Sequence, residues 1–490
     1  MEANMLQVDD NIGTIKHEVL KEVAALAFKG ELETRQDELP YEMIPGPTAH
    51  FRCCIYKERE IIRQRIRLAQ GKSPVPDKDD KNIVQVVPAA CEECPIARFV
   101  VTDNCQKCVG KRCQNACNFG AITMLADRAH IDPAKCKECG KCSQACPYNA
   151  IADLTRPCKK SCPVDAISMD ENGVVIIDEE KCISCGNCIK NCPFGALSDR
   201  SFMVDVINLI KNPNIEVYAM VAPAVEGQFG AGVTTGILGE AIKELGFDGM
   251  FEVALGADLV AASEAEEWYE AYKEGKKMTT SCCPAFVNMI HKHFPTLIDH
   301  ISTTVSPMQA TAKVIKKFHP GAVVVFVGPC IAKKGEVLDN VAEGGADYAL
   351  TFDELYAMMN AKNIEPSSFG GNLQQGSLYA KNFAVSGGVT ASVIEALKEK
   401  NIDANLAVKQ CNGAVECKKA LLMLKVGKLP EDFMEGMSCE GGCVNGPGSI
   451  LTGRIAEQNR KKVLSKTDDR KIYDTVDTYK PYDIHMHRNK

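Results

Sequence analysis

The chain has 490 residues and a formal net charge of −7, so it can form two or more domains and lacks the basic excess of nucleic-acid-binding proteins. No apolar run approaches the roughly 18 residues that cross a membrane. The first ten residues also lack the basic-then-apolar order of a signal peptide. We therefore expect a cytoplasmic protein with no nucleic-acid partner and no membrane span.

Cysteine dominates the composition, with 25 residues in total. Eighteen of them lie at or before Cys192, and seven follow it. A reducing cytoplasm disfavours disulfides, so this density of thiols indicates metal ligation or redox chemistry.

Residues 1–90 are predicted to form a helical N-terminal extension. Apolar side chains recur at helical spacing at Ile15, Val19, Val23 and Leu26. Gly30 is placed to end that helix. The stretch "FRCCIYKEREIIRQRIRLAQG" predicts a second helix with a basic face. We interpret this face as packing against the next domain, with a docking surface for an acidic electron carrier as the alternative.

Residues 91–200 are short of long periodic segments, and cysteines interrupt them at regular intervals. Two runs share the spacing Cys-x2-Cys-x2-Cys-x3-Cys-Pro, at Cys136, Cys139, Cys142 and Cys146 and again at Cys182, Cys185, Cys188 and Cys192. In bacterial ferredoxins, three thiolates of such a run bind one [4Fe–4S] cluster and the fourth binds its neighbour. Zinc sites use paired Cys-x2-Cys knuckles instead. The region is therefore predicted to be ferredoxin-like.

The first run needs a partner, and a slightly stretched run precedes it. We predict a first cluster site at Cys105, Cys108, Cys113 and Cys146. The second cluster site is predicted at Cys136, Cys139, Cys142 and Cys117.

The second run has no complete partner run, but two incomplete runs occur in the sequence. Cys158-x3-Cys162-Pro has the last two ligands of a run, and Cys91-x2-Cys94 has the first two. One ferredoxin unit, about 100–150, would then be inserted within another. This predicts a third cluster site at Cys182, Cys185, Cys188 and Cys162 and a fourth at Cys91, Cys94, Cys158 and Cys192.

The fourth site has alternatives. Cys91 and Cys94 could be buried free thiols, or one of the two spare cysteines, Cys53 and Cys54, could replace one of them. The chain therefore carries three to four accessory clusters by this count.

From Ser201 the pattern changes to alternating strands and helices. Buried strands are predicted at 215–221, 323–327, 347–350 and 405–408, with a helix at 258–274. Thr351 and Glu354 form a candidate capping box for a further helix. The chain is thus predicted to be a multidomain α+β and α/β protein. Its domain at 201–460 should have mostly parallel sheets, and 461–490 should be a polar tail on the surface.

The remaining clustered cysteines fall in three loops: "TTSCCPAFV" around Cys282 and Cys283, "PCIAK" around Cys330, and "MSCEGGC" with Cys439 and Cys443. Cys330 follows directly on a predicted strand. Open α/β sheets build their sites at the carboxyl ends of strands. Four thiolates from three loops could therefore hold one buried cluster.

At these residues the sequence resembles the [FeFe]-hydrogenases, over roughly 205–460. "TSCCP", "PCxxK" and "MxCxxxC" match the three H-cluster signatures in order, and "APAV" and "GGV" match further elements. The resemblance implies an H-cluster, a [4Fe–4S] cluster joined to a di-iron azadithiolate unit with CO and cyanide ligands. The ligands that it implies are Cys283, Cys330, Cys439 and Cys443, the last bridging to the di-iron unit.

The resemblance also implies a separate role for each of the adjacent thiols, Cys282 and Cys283. The neighbour of the ligand Cys283 is implied to carry protons to the cofactor, along a path through Cys282, Glu264, Ser302 and Glu267. Glu264 and Glu267 lie three apart on a predicted helix and share one face. Lys333 is implied to donate a hydrogen bond to a cyanide ligand. Ala222, Pro223 and Met437 are implied to line the same pocket.

Some positions depart from the best-known hydrogenases, namely Phe286, Met308, Gly328 and the segment "GCVNGPGS". They resemble the clade called group B. The implied activity is reversible formation of H2 from two protons and two electrons. Ferredoxin would deliver the electrons, and maturation proteins would install the cofactor. A hydrogen-sensing protein of low turnover and a Narf-like iron–sulfur assembly factor without the di-iron unit are the alternatives.

Overall fold

The computed structural model describes residues 11–76, 80, 82–91, 94–95, 97–339, 343–402 and 406–488. It is a multidomain mixture of helices and sheets, with small antiparallel sheets in the cysteine-rich region and parallel sheets in the C-terminal half. Among these residues, no helix is both long and apolar enough to cross a lipid bilayer.

In the described part of the N-terminal region the helices are α1 (Asn11–Lys29), α2 (Leu32–Arg35), α3 (Leu39–Met43) and α4 (Ile55–Ala69). Both predicted helices are confirmed, and Gly30 follows α1 with a positive φ of 75°. The apolar face of α4 is buried through Ile61, Ile62 and Ile66. This burial agrees with the packing interpretation of the helix.

The cysteine-rich region consists of short strands and single-turn helices. In chain order they are β1 (Val84–Val86), α5 (Pro88–Cys91), β2 (Phe99–Val101), α6 (Arg112–Asn115), β3 (Ile122–Met124), β4 (Ala129–Ile131), α7 (Lys141–Ala145), β5 (Ile151–Asp153), α8 (Pro157–Ser161), β6 (Ile167–Met169), β7 (Val175–Ile177), α9 (Asn187–Lys190) and β8 (Leu197–Asp199). The strands pair antiparallel as β1 with β8, β2 with β5, β3 with β4 and β6 with β7. In the sequence, both strands of the β2–β5 pair lie between the two strands of the β1–β8 pair. Each of these two pairs therefore joins strands that are distant in sequence.

The C-terminal half alternates strands and helices. Its first part contains α10 (Met203–Ile210), β9 (Val217–Val221), α11 (Thr235–Leu245), β10 (Gly249–Glu252), α12 (Val253–Lys273), β11 (Met278–Thr279), α13 (Pro284–His293), α14 (Pro307–Phe318), β12 (Val323–Val327) and α15 (Ala332–Leu338). It continues with β13 (Tyr348–Leu350), α16 (Phe352–Ala361), α17 (Leu378–Asn382), α18 (Gly388–Glu399), β14 (Val408–Asn412), α19 (Ala414–Lys425), β15 (Phe433–Met437), α20 (Gly453–Leu464) and α21 (Ile472–Tyr479). Single 3-10 turns lie at Pro223–Val225, Pro295–His300, Pro366–Ser368, Cys443–Asn445 and Lys480–Tyr482.

Two parallel sheets organise this half. One has the order β10-β9-β12-β13 and the other β11-β15-β14, with parallel pairing throughout. In the first sheet the register sets Val323 against Val217 and Val327 against Val221. Parallel strands place their carboxyl ends on one edge, so the loops that follow them gather there.

The predicted strands at 215–221 and 347–350 begin one or two residues later in the structure, and two other elements differ more. The strand predicted at 405–408 begins at Val408 and ends at Asn412, and Asn405 lies outside the described residues. This strand is at the edge of its sheet, where polar side chains are tolerated, so its apolar pattern is weak. The helix predicted from Asp258 starts at Val253, because it follows β10 without a loop.

Other features match the prediction more closely. The capping box at the start of α16 is present, with Thr351 and Glu354 bonding to each other's backbone N–H groups. The tail is partly a helix, and α21 fully buries Ile472. Further on, the Met486 carbonyl accepts a hydrogen bond from Val305 N–H, which fixes the tail to the second sheet region.

Candidate metal centre

A largely apolar cavity lies where the carboxyl ends of both sheets meet. Its walls include the four cysteines predicted to hold the buried cluster, the neighbouring thiol and the predicted pocket residues: Cys282, Cys283, Cys330, Cys439, Cys443, Lys333, Ala222, Pro223 and Met437. The structure thus brings three distant loops to one space. We call it the central cavity.

The local structure explains how each loop arrives there. Cys330 follows β12, Met437 ends β15, and Cys283 is the N-cap residue of α13. The N-terminus of a helix favours a negative charge, such as a thiolate. Pro284 at the first helical position has no N–H group that would be left without a partner.

The protein alone disfavours thiolates in this cavity. Burial raises the pKa of Cys330 to about 11, and Lys333 only partly opposes the shift. Burial also raises the pKa of Cys439 and Cys443 well above the ordinary value, and neighbouring thiols add to it. Thiols whose pKa is raised this far ionise together only around a positively charged centre. Their chemistry therefore fits metal ligation.

The thiol of Cys282 stands beside the buried carboxyl of Glu264. Burial raises the pKa of Cys282 well above the ordinary value, and Glu264 raises it further, so the thiol stays protonated. Burial likewise raises the pKa of Glu264 from 4.5 to about 7. Both groups can therefore carry a proton near neutral pH.

The next two predicted residues continue outward from Glu264. Ser302 lies near Glu264 and lowers its pKa slightly, and the Ser302 hydroxyl donates to Glu267 Oε2 at 2.8 Å. Glu264 is fully buried, whereas Glu267 is partly exposed. The structure thus places the four residues of the predicted path near one another between the cavity wall and the surface, and the path itself stays a prediction.

Sequence reasoning missed the groups that hold this path in place. Ser281 N–H lies 3.3 Å from Glu264 Oε1, and the hydroxyl of Ser281 donates to the Thr304 carbonyl at 2.5 Å. Thr303 N–H donates to Glu267 Oε1 at 2.8 Å. Their roles could have been suspected from the sequence, because Ser281 adjoins Cys282 and Thr303 adjoins Ser302.

Lys333 lines the cavity but is already paired. Its ammonium donates to Glu336 Oε2 at 2.6 Å and lies 3.4 Å from the Cys282 carbonyl oxygen. Glu336 also accepts a hydrogen bond from Ser306 at 2.6 Å, and it is 5% exposed. Glu336 is a further residue that sequence reasoning missed, although its i+3 spacing from Lys333 would have indicated the pair.

The cysteine runs gather as the first and second sites require. A small cavity is lined by the four second-site cysteines: Cys117, Cys136, Cys139 and Cys142. Burial raises the pKa of Cys113, and Cys146 and Cys108 contribute as nearby thiols of the first site. Cys105 packs in the same small core, formed around Phe99 and Ile151.

The structure also brings together the thiols of the predicted third and fourth sites. A cavity is lined by the third set: Cys162, Cys182, Cys185 and Cys188. Burial raises the pKa of Cys158 to about 11, and the neighbouring thiols that affect it are the other fourth-site members: Cys192, Cys94 and Cys91. Cys185 also faces the central cavity, and Cys188 lies close to Cys158. The fourth site, the third site and the central cavity are therefore neighbours in that order.

Backbone N–H groups point at the sulfur atoms in a repeating pattern. The N–H groups of Glu138 and Ser184, both at positive φ, donate to Cys136 Sγ and Cys182 Sγ at 3.4 Å. Others donate to Cys146, Cys162, Cys192 and Cys91 at 3.2–3.4 Å. Such bonds stabilise charged sulfur, so the sites fit iron–sulfur clusters.

Within the part of the chain that the structure describes, no three His, Cys, Asp or Glu side chains are close enough to hold a single metal ion. Thiols spread around small cavities suit clusters better. Cys53 and Cys54 are exposed. Cys411 and Cys417 are fully buried in mutual contact behind Cys283.

Fold and sites together define an iron–sulfur protein with several cysteine sites leading to a buried cavity. Known families agree with this. The family model described as iron only hydrogenase large subunit, C-terminal domain, matches residues 215–447. A LdpA Fe–S cluster-binding domain matches 151–203, and a 4Fe–4S binding domain matches 129–152.

The periplasmic [Fe] hydrogenase large subunit of Nitratidesulfovibrio vulgaris is 30% identical over 393 residues, covering 68% of this chain and 90% of that protein. Iron hydrogenase 1 of Clostridium pasteurianum is 29% identical, covering 71% of this chain and 68% of that protein. The chain belongs to the iron-only hydrogenase family.

More distant similarities extend the comparison. The human nuclear prelamin A recognition factor is 25% identical, covering 43% of this chain and 58% of that protein. The structure of apo [FeFe]-hydrogenase HydA1 from Chlamydomonas reinhardtii superposes with a TM-score of 0.47 at 20% identity, covering 56% of this chain and 94% of that one.

Proposed function

We propose that this protein is a ferredoxin-linked [FeFe]-hydrogenase, which interconverts two protons and two electrons with H2. The observation that carries the proposal is the central cavity, where Cys283, Cys330, Cys439 and Cys443 meet beside the unligated thiol of Cys282. Family membership supports the same activity. The H-cluster, once bound by these four cysteines, would supply a reducible di-iron centre with an open position.

In this proposal the residues of the chain move protons. Cys282 holds a proton at Sγ at the cavity wall, because its pKa lies far above neutrality. Glu264 exchanges protons with it, since a carboxyl with a pKa of about 7 is protonated and ionised in similar amounts at neutral pH. Ser302 passes the proton to Glu267 at the surface. The apolar walls around Met437 exclude water from the cavity.

The accessory sites would move electrons. Four [4Fe–4S] clusters bound at the first to fourth sites would connect a ferredoxin at the surface with the central cavity. The contact of Cys185 with the central cavity and the proximity of Cys188 to Cys158 support this route. We also propose that the chain divides into the regions 1–90, 91–200, 201–460 and 461–490, and that it works in the cytoplasm, where separate maturation proteins install the cofactor.

Hydrogen evolution from reduced methyl viologen, measured on matured protein, tests the activity. The informative variant is Glu264→Gln, which keeps the shape of the side chain and removes its proton exchange. We expect turnover to fall by at least about 100-fold with unchanged cluster spectra. The matched control is Glu266→Gln on the exposed face of the same helix, which should keep wild-type turnover. Equal activity of both variants would remove Glu264 from the path.

The second candidate is an iron–sulfur assembly factor without the di-iron unit. The similarity to a cytosolic Fe–S cluster assembly factor, 27% identical over 257 residues, favours it. Infrared bands of CO and cyanide, recorded after addition of the synthetic di-iron cofactor, separate the two. Bands together with hydrogen evolution support the hydrogenase, bands without turnover support a hydrogen sensor, and absent bands support the assembly factor.

A further inference from the structure

Three arginine side chains surround the fourth site, and each comes from a different segment. Arg52 precedes α4, Arg65 lies within α4, and Arg156 is the N-cap residue of α8. Arg65 is 6% exposed and Arg156 is 5% exposed. Burial of an arginine is unusual, because removing a charge from water is costly unless something compensates.

Each guanidinium is anchored to backbone next to a fourth-site cysteine. Arg156 lies 3.4 Å from the Cys94 carbonyl oxygen, and Arg52 donates to the Ala90 carbonyl at 3.1 Å, one residue before Cys91. Arg65 donates to the Gly195 carbonyl at 2.6 Å. Gly195 N–H in turn donates to the Cys192 carbonyl. The three charges therefore surround one site.

Neutral carbonyl groups accept these hydrogen bonds, so the positive charges remain. Among the described residues, none of the three guanidinium groups has a carboxylate partner within 4.0 Å. Two carboxylates lie nearby, and both bind backbone N–H groups rather than a guanidinium. Asp170 binds the N–H groups of Asn172 and Val174, and Glu58 binds backbone N–H groups, including that of Arg52.

The cations near the other sites are less deeply buried than Arg65 and Arg156, including the half-buried Lys418, which donates to the Pro163 carbonyl at the third site. Near the first and second sites, Arg98 is exposed and paired with Asp153 at 2.9 Å. Lys292 donates to the Cys182 carbonyl at the third site from an exposed position. A charge at the surface is screened by water and salt, whereas a buried charge acts at nearly full strength. The fourth site is therefore electrostatically different from the rest.

We propose that Arg52, Arg65 and Arg156 make the fourth site the most easily reduced of the accessory sites, so that it stores an electron beside the third site. The proposal rests on the proposed function in one respect, because it requires a [4Fe–4S] cluster at Cys91, Cys94, Cys158 and Cys192. Reduction of such a cluster takes one electron from the carrier, changes its core from 2+ to 1+, and adds one negative charge. Neighbouring positive charge stabilises that product.

Electron storage at this point suits a two-electron reaction. A one-electron carrier delivers its electrons separately, while H2 formation consumes two. An electron held at the fourth site lies one site away from the third site and two from the central cavity. The second electron can therefore arrive while the first is retained inside the protein.

Redox titration of the full-length protein, with its accessory clusters reconstituted and followed by electron paramagnetic resonance, tests the proposal. The signal of the fourth site is identified as the one lost in Cys158→Ser and in Cys94→Ser. At the potential where this signal is half reduced in wild type, Arg156→Gln should lower the ratio of reduced to oxidised cluster about tenfold. Arg65→Gln should act in the same direction. The conservative variant Arg156→Lys keeps the charge and should restore most of the ratio.

Arg63→Gln is the matched control, since Arg63 lies on the same helix as Arg65 but is exposed and paired with Glu60. In Arg63→Gln the ratio of reduced to oxidised cluster should equal that of wild type. Iron content, measured in parallel, shows that each variant keeps its clusters. An identified fourth-site signal that does not move in Arg156→Gln or Arg65→Gln overturns the inference alone. If neither cysteine variant loses a signal, the proposed cluster at the fourth site is wrong, and the inference fails with it.

Discussion

The hydroxyl of Ser302 donates a 2.8 Å hydrogen bond to Glu267, and Ser302 also lies near the buried carboxyl of Glu264. The hydrogen bond crosses from α12 to the loop before α14, so it depends on how these elements pack. Gly256 allows the close approach, because a side chain there would meet the Pro307 carbonyl oxygen at 2.5 Å. Packing therefore assembles the proposed proton path.

Removal of the Ser302 hydroxyl should interrupt proton transfer. Ser302→Ala is expected to lower hydrogen evolution by about 100-fold, because its hydroxyl donates to Glu267 and lies near Glu264. Turnover with reduced methyl viologen measures this loss. The control is Ser367→Ala, at an exposed serine whose hydroxyl bonds only to Glu365. A Ser302→Ala protein with normal turnover would show that protons enter by another route.

The raised pKa of Glu264 predicts a pH-dependent stability. The folded protein holds this proton up to about pH 7, whereas the unfolded chain releases it near pH 4.5. The folded state binds more protons in between, so Glu264 lowers the free energy of unfolding as pH rises through this window. As pH rises from 5.5 to 7, the free energy of unfolding of Glu264→Gln should therefore increase by about 2 kcal/mol relative to that of wild type. Urea unfolding at both pH values measures the difference.

Asp258, whose pKa burial raises to about 7, changes stability in the same window but is present in both proteins. Its contribution therefore cancels in the comparison. Glu266→Gln, at an exposed position of the same helix, should show the pH dependence of wild type. If the unfolding free energy of Glu264→Gln changed with pH in the same way as that of wild type, Glu264 would be ionised throughout this pH range.

Lys334 should be essential for stability. Its ammonium is fully buried and donates to Asp199 at 2.7 Å and to Glu354 at 2.9 Å. Burial alone would raise the pKa of Asp199, but Lys16 and Lys334 hold it below its ordinary value. Lys334→Met leaves buried carboxylates without this partner and should cost about 3–5 kcal/mol of unfolding free energy.

The shift of the urea midpoint measures this cost. The exposed pair of Lys243 and Glu240 provides a control, since Lys243→Met should change the unfolding free energy by less than about 1 kcal/mol. Similar midpoints for the two lysine variants would contradict the prediction.

Iron content can decide between Cys94 and the spare cysteines at the fourth site. Cys94→Ser should lower the iron content of the full-length protein by up to about four atoms, or leave a cluster that is lost on dilution. Cys53→Ser and Cys54→Ser should keep the wild-type content, because both thiols are exposed and Cys54 is the N-cap residue of α4. Loss of iron in either of these variants would favour the alternative ligand.

The predicted groups of cysteines and the parallel α/β half could both be read from the amino-acid sequence alone. Ligand spacing within a run is a local property, so the pairing of Cys91 and Cys94 with Cys158 and Cys192 could be predicted before the structure brought them together. Strands such as Val323–Val327 could be predicted because burial on both faces requires a continuous apolar run. The lining of the central cavity could be predicted only through the resemblance to a known family.

Which charged side chains are buried, and which groups pack against them, could be seen only in the tertiary structure. On the sequence, Arg65 belongs to a basic helical face and Lys334 is one of two adjacent lysines, and both patterns are typical of solvated surfaces. The fold covers Arg65 with the chain around Gly195 and covers Lys334 with Asp199 and Glu354. A partner 130 or 135 residues away leaves no local signal, and the strength of a charge depends on its distance from water.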